Sequence, residues 1–242
     1  MSKRCLILVL LALSSTATMA DTISGSAGAG WQSWTNTSLN QNGIPYWDGT
    51  SSDGAKKNIG YCLTGAGSCG MSNPPGNLSY WGFSNGAADP NITFNGTGGS
   101  NVATMQIEIA GYANLNQFGY MDSTGMHVLF TGSQGSGATT TFTAIGSYVF
   151  FIISGNGQTY FTNSSLNPSG DQNFQHFAVF GGGTPGVFYL GIEDLPGGQG
   201  DKDYNDMVVK IAPTKVPEPG SVGMLAMGLA VLMRRAQRKA RG

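Results

Sequence analysis

Five carboxylates, Glu193, Asp194, Asp201, Asp203 and Asp206, fall within fourteen residues of a 242-residue chain that is only 10% charged. Between the two acidic groups lies Pro196-Gly197-Gly198-Gln199-Gly200, which suits neither a helix nor a central strand. Apolar runs flank them at 187–190 and 207–209, so the stretch predicts two strands whose connection gathers carboxylates at one end. Like charges held this closely repel unless they are solvated or bridged by a cation. Oxygen ligands on a glycine-rich loop suit Ca²⁺. Asp201-x-Asp203-x-Asn205 is spaced like the start of an EF-hand loop, but Asp206 stands where that loop needs glycine and no Glu occupies the twelfth position. The candidate ligands are therefore Glu193, Asp194, Asp201, Asp203, Asn205 and Asp206 in a different loop. Two other readings stay open at this point. One is a solvated acidic hairpin. The other is a carboxylate pair, drawn from Glu108, Glu193 and Asp194, that hydrolyses glycosidic bonds.

Other residues carry weaker chemistry. All four tryptophans, Trp31, Trp34, Trp47 and Trp81, lie in the first hundred residues, with Tyr46, Tyr61 and Tyr80 among them. Such rings either stack on sugars or bury against a sheet that is short of Leu and Ile. Cys62 and Cys69 enclose six residues and are the only thiols apart from Cys5. In an oxidising compartment they are expected to pair, closing a small loop worth about 2–3 kcal/mol. The two histidines, His127 and His176, are too distant in sequence to suggest a soft-metal site with them. There is no Gly-x-Ser-x-Gly elbow, no His-Glu-x-x-His and no phosphate or dinucleotide loop.

Both ends read as export signals. Met1-Ser2-Lys3-Arg4, an apolar run from Cys5 to Leu13 and Thr18-Met19-Ala20 describe a secretory signal peptide over residues 1–20, cut after Ala20. At the other end Val216-Pro217-Glu218-Pro219-Gly220 leads into an apolar segment to Met233. Five of the twelve basic residues then fall in the last nine positions. That is a short hydrophobic helix with a basic stop, expected to hold the chain transiently in the inner membrane.

Pro217-Glu218-Pro219, the apolar helix and the Arg-rich tail together resemble the PEP-CTERM sorting signal. The resemblance implies processing by exosortase, a membrane protease, and delivery to the cell surface or beyond it, often alongside exopolysaccharide. Gly-x-Glu-Asp-Leu-Pro-Gly-Gly followed by Gly-Asp-x-Asp-Tyr-Asn-Asp resembles the C-terminal signature of a domain of unknown function common in bacterial surface proteins.

Without its two signals the chain spans residues 21–215, with five lysines, no arginine and twelve carboxylates, a net charge of −7. Such a surface has no basic stripe for nucleic acid. Residues 21–100 are rich in Trp and Gly and poor in apolar runs. Beyond them short alternating or β-branched runs recur: Met105, Ile107 and Ile109 on one face, then 139–143, 148–153, 159–162, 174–180 and 187–192. No stretch has helical periodicity. The expectation is an all-β domain, an antiparallel β-sandwich of jelly-roll-like type. Its expected role is non-enzymatic: a Ca²⁺-stabilised structural or adhesive domain, with a carbohydrate-binding module as the alternative.

Overall fold

A computed structural model describes residues 20–26, 58–64, 71, 75–76, 78–81, 91–172, 174–181, 184–197, 199–200 and 203–214. The compact unit runs Met19–Thr214. Among the described residues no helix is long and apolar enough to cross a membrane. The predicted signal peptide, C-terminal helix and Pro217-Glu218-Pro219 motif lie outside the described residues, as do Trp31, Trp34, Trp47, Cys69 and Asp201.

The described fold is almost entirely antiparallel sheet. Its strands are β1 (Thr22–Ser26), β2 (Ser79–Tyr80), β3 (Asn91–Glu108), β4 (Gln117–Asp122), β5 (Gly125–Thr131), β6 (Thr139–Ile153), β7 (Thr159–Phe161), β8 (Phe177–Gly181), β9 (Phe188–Ile192) and β10 (Met207–Pro213). They join in the order β2-β8-β9-β10-β3-β6-β4-β5, with β1 added to β3 and β7 to β6. The runs at 139–143 and 148–153 form one strand, β6, because Gly146 at φ 75° lets the chain bend without a break. Its first half pairs with β3 and its second half with β4 and β7, so β6 carries the sheet from one layer into the other.

The two layers enclose one aromatic core. Phe118, Tyr120 and Phe130 of the β4–β5 hairpin share it with Phe177, Leu190, Val209 and Ile211 of β8–β10. Phe94, Phe142, Tyr148 and Phe150 fill the centre with edge-on and stacked contacts at 4.8–6.2 Å. This is the expected all-β sandwich, folded from a single continuous sheet. Strands β8, β9 and β10 are buried on both faces. Their alternate residues Ala178, Phe180, Tyr189 and Val208 pack on a second cluster with Ile59, Leu63 and Tyr80. That cluster includes a five-residue helix, α1 (Ile59–Leu63), too short to leave a period in the sequence. Cys62 of α1 is fully buried and disulfide-bonded.

One irregularity decides where the chemistry sits. The β3–β10 ladder shifts register between Val208 and Val209, which face Ile107 and Met105 respectively. The extra residue turns β3 over. Met105 remains in the main core while Ile107 enters the second cluster, and Ile109 is 63% exposed beyond the end of the strand. The even alternation of Met105, Ile107 and Ile109 is therefore broken, and Glu108 comes round to the side of the main core.

Candidate metal centre

Three neighbouring strands end together. Ile192 closes β9, Met207 opens β10, and Glu108 closes β3; Met207 pairs with both Ile192 and Glu108. The residues just beyond these pairs are Glu193, Asp194 and Asp206. Each offers a carboxylate oxygen, and the three oxygens lie within 4.8 Å of one another. Glu193 and Asp194 are 1% and 2% exposed. The backbone fixes them: the Glu193 N–H donates to the His176 carbonyl at 3.0 Å, and the Asp194 N–H donates to Oδ2 of Asp206 at 3.0 Å. Gly200 passes against the Glu193 carboxylate, where an added Cβ would stand 2.5 Å from Oε1.

A fourth carboxyl joins through Asn116. This fully buried amide donates to Asp194 Oδ2 at 2.8 Å and to Glu108 Oε1 at 3.3 Å, and accepts from the Gly155 N–H at 3.0 Å. Glu108 Oε2 is buried with no hydrogen-bond partner. Burial pushes the Glu108 carboxyl up to about 8, with Asp194 and Asp206 adding to the rise and the Asn116 bond opposing it. Sequence reasoning named Glu108 only as one member of a candidate hydrolytic pair. Nothing in the spacing marked Asn116.

The remaining predicted ligands take other positions. Asp203 and Asn205 bond to each other: the Asn205 side-chain amide donates to Asp203 Oδ2 at 2.7 Å and its N–H to Oδ1 at 3.2 Å. Between them Tyr204 has φ 59°, a left-handed conformation that an aromatic residue adopts only when its surroundings hold it. They do so through its buried ring and its hydroxyl, which donates to the Gln175 carbonyl at 2.6 Å. The kink lets Asn205 form a bridge with Ile192, directing the chain into β10.

Behind the carboxylates lies a buried aromatic pair. His176 stacks on Tyr160 at 3.7 Å and 11°. Its Nδ1 faces the Glu193 carbonyl at 3.0 Å, so that nitrogen carries the proton. Nε2 stands 3.7 Å from Asp171 Oδ2, beyond hydrogen-bond reach. Burial works upward on Asp171, but the Gly197 N–H, donating to Oδ1 at 3.1 Å, works to hold it below the usual carboxylate range.

Trp81 sits elsewhere. It is half-buried, its ring lies against Gly25 of β1, and with Ile23 and Phe188 it walls an open cavity of about 450 Å³. β1 pairs with the first residues of β3, whereas the carboxylates gather at its last, so the two features occupy opposite ends of that strand. Of the acidic residues flanking the glycine turn, Glu193 and Asp194 meet Asp206 while Asp203 bonds to Asn205, and the described Trp does not join them.

Residues 129–214 match the profile of a domain of unknown function, DUF4114, and residues 215–239 match the PEP-CTERM protein-sorting motif. No curated protein and no solved structure matches the chain. The sorting motif marks the chain for export to the cell surface and for processing by an exosortase-type membrane protease. Glu108 and Asn116 precede the matched domain, although they share its carboxylate cluster.

Proposed function

We propose that the exported domain is a non-enzymatic, Ca²⁺-stabilised structural or adhesive β-sandwich that works among exopolysaccharide outside the cell, after transient inner-membrane anchoring by the C-terminal helix. The observation that carries the cation reading is the convergence of Glu193, Asp194 and Asp206 within 4.8 Å. The group contains no thiol or imidazole, which favours a hard divalent cation over a soft one. Glu193, Asp194 and Asp206 would hold Ca²⁺, with Glu108 beside them and Asp201, Asp203 and Asn205 shaping the loop. The ion would add positive charge where three carboxylates converge, and so tie the ends of β9 and β10 together. The test is thermal unfolding of the exported protein with Ca²⁺ and with chelator. At 100 times its dissociation constant the ion adds about 2.7 kcal/mol. Coincident curves would remove the cation from the reading.

A second reading is favoured by Glu108. A carboxyl that keeps its proton, linked through Asn116 to the carboxylate of Asp194, is the arrangement of a general acid beside a base. Turnover of a glycan that is abolished by Glu108→Gln would support a hydrolase. The carbohydrate-binding reading draws on the N-terminal aromatics Trp31, Trp34, Trp47 and Trp81, of which the described Trp81 walls a cavity. It requires that exopolysaccharide fragments change tryptophan emission and that Trp81→Ala removes the change. We also assign Cys69 as the partner of Cys62, which peptide mapping of the unreduced protein tests.

A further inference from the structure

Asp21 is the first buried residue among those described. It is 3% exposed, and its carboxylate is surrounded by donors: the Thr97 N–H at 2.9 Å, the Thr97 hydroxyl at 3.2 Å, the Asn101 amide at 2.8 Å and the Tyr148 hydroxyl at 2.9 Å. Four hydrogen bonds stabilise an ionised carboxylate, yet none of these donors carries a charge. Among the described residues Asp21 makes no ion pair. A buried charge without a counter-charge is costly. The backbone N–H of Asp21, in contrast, donates to no backbone group among the described residues. It borders the open cavity beside Ala20 and Gly186.

We propose that Asp21 is the first residue of the exported form, and that the ammonium released there by leader cleavage is the counter-charge for its own buried carboxylate. Hydrolysis of the Ala20–Asp21 amide consumes one water and needs only a leader peptidase. The Ala20 carbonyl leaves as a carboxylate, and the Asp21 nitrogen takes up protons to become an α-ammonium. Among the described residues cleavage breaks no backbone hydrogen bond of that nitrogen. It places a positive charge on the same residue as the carboxylate, in a cavity open to solvent. Processing then stabilises the docking of β1 on β3 as well as removing the leader. The described groups that face this carboxylate fit such a role. Thr97 and Asn101 from β3 do not titrate, nor does the Pro185-Gly186 turn. Tyr148 from β6 keeps its proton well beyond neutral pH because burial and Asp21 both oppose its ionisation.

The experiment uses the exported protein itself. Intact-mass analysis should find Asp21 at its N-terminus; any other first residue overturns the proposal. The α-amine is then acetylated at about pH 6.5, where lysines stay protonated. The free-amine form should unfold about 2–4 °C above the acetylated form. The α-ammonium has its own carboxylate beside it in both states, but folding buries that carboxylate and strengthens their attraction, so the folded pKa rises. The advantage should therefore be complete below the unfolded α-amino value of about 8 and vanish as pH climbs through the raised folded value. In Asp21→Asn, acetylation should shift nothing. Equal midpoints for the free and acetylated wild-type forms, or the same acetylation effect in Asp21→Asn, would overturn it. Neither readout depends on Ca²⁺.

Discussion

The backbone N–H of Asp194 donates to the carboxylate of Asp206 at 3.0 Å, joining the exit of β9 to the entrance of β10 across the glycine turn. That bond makes Asp206 a structural acceptor as well as a candidate ligand. Asp206→Asn should separate the two roles. Its side-chain oxygen can still accept from Asp194, while one negative charge is lost. In chelator the variant should unfold at or above the wild-type midpoint, since three carboxylates within 4.8 Å repel. The Ca²⁺-dependent rise should shrink or vanish. A full rise in the variant would exclude Asp206 as a ligand.

Asn116 should be among the most sensitive polar positions. Asn116→Ala leaves the Gly155 N–H, Asp194 and Glu108 without a shared partner in a buried place. The expected loss is roughly 1–3 kcal/mol, read from urea unfolding. Asn116→Asp should cost more, since it adds a carboxylate to a site that already holds four carboxyl groups. A variant as stable as the wild type would mean that the cluster does not depend on this amide.

Glu108 gives the metal-free protein a pH signature. Its folded value, about 8, lies above the ordinary 4.5, so between these the native state holds a proton that the unfolded chain has lost. Stability from this group is therefore present at low pH and declines as pH rises from about 4.5 to about 8, then levels off. Glu108→Gln should flatten that slope in chelator, measured as midpoint against pH. An unchanged slope would assign it to other groups.

Tyr204 tests the kink. Tyr204→Phe keeps the ring and deletes the bond to the Gln175 carbonyl, for an expected cost of about 1 kcal/mol. Tyr204→Gly relieves the left-handed backbone but empties a buried aromatic position. By the cost of deleting a buried ring it should lose roughly 3 kcal/mol or more despite the relief. Denaturant unfolding of the two variants orders these effects. A Gly variant more stable than the Phe variant would show that backbone strain outweighs packing there.

Much of this was legible in the residue order. β-branched and aromatic runs announced strands β6, β8 and β9, since pattern and propensity are local properties. The sorting motif and the two acidic groups either side of Pro196 are likewise local, and the turn between them had to bring β9 and β10 side by side. The antiparallel sandwich followed from many short strands with glycine turns. Which carboxylates meet was not local. Glu108 joins Asp194 and Asp206 because a bulge against Val208 and Val209 reverses the face of β3, and a one-residue shift in pairing leaves no mark in a period-two pattern. Asn116 and Asp21 likewise acquired their roles from partners 78 and 127 residues away in the chain. Short-range pattern selects strands and turns. Long-range register, decided by how the whole core packs, selects which polar groups are buried together.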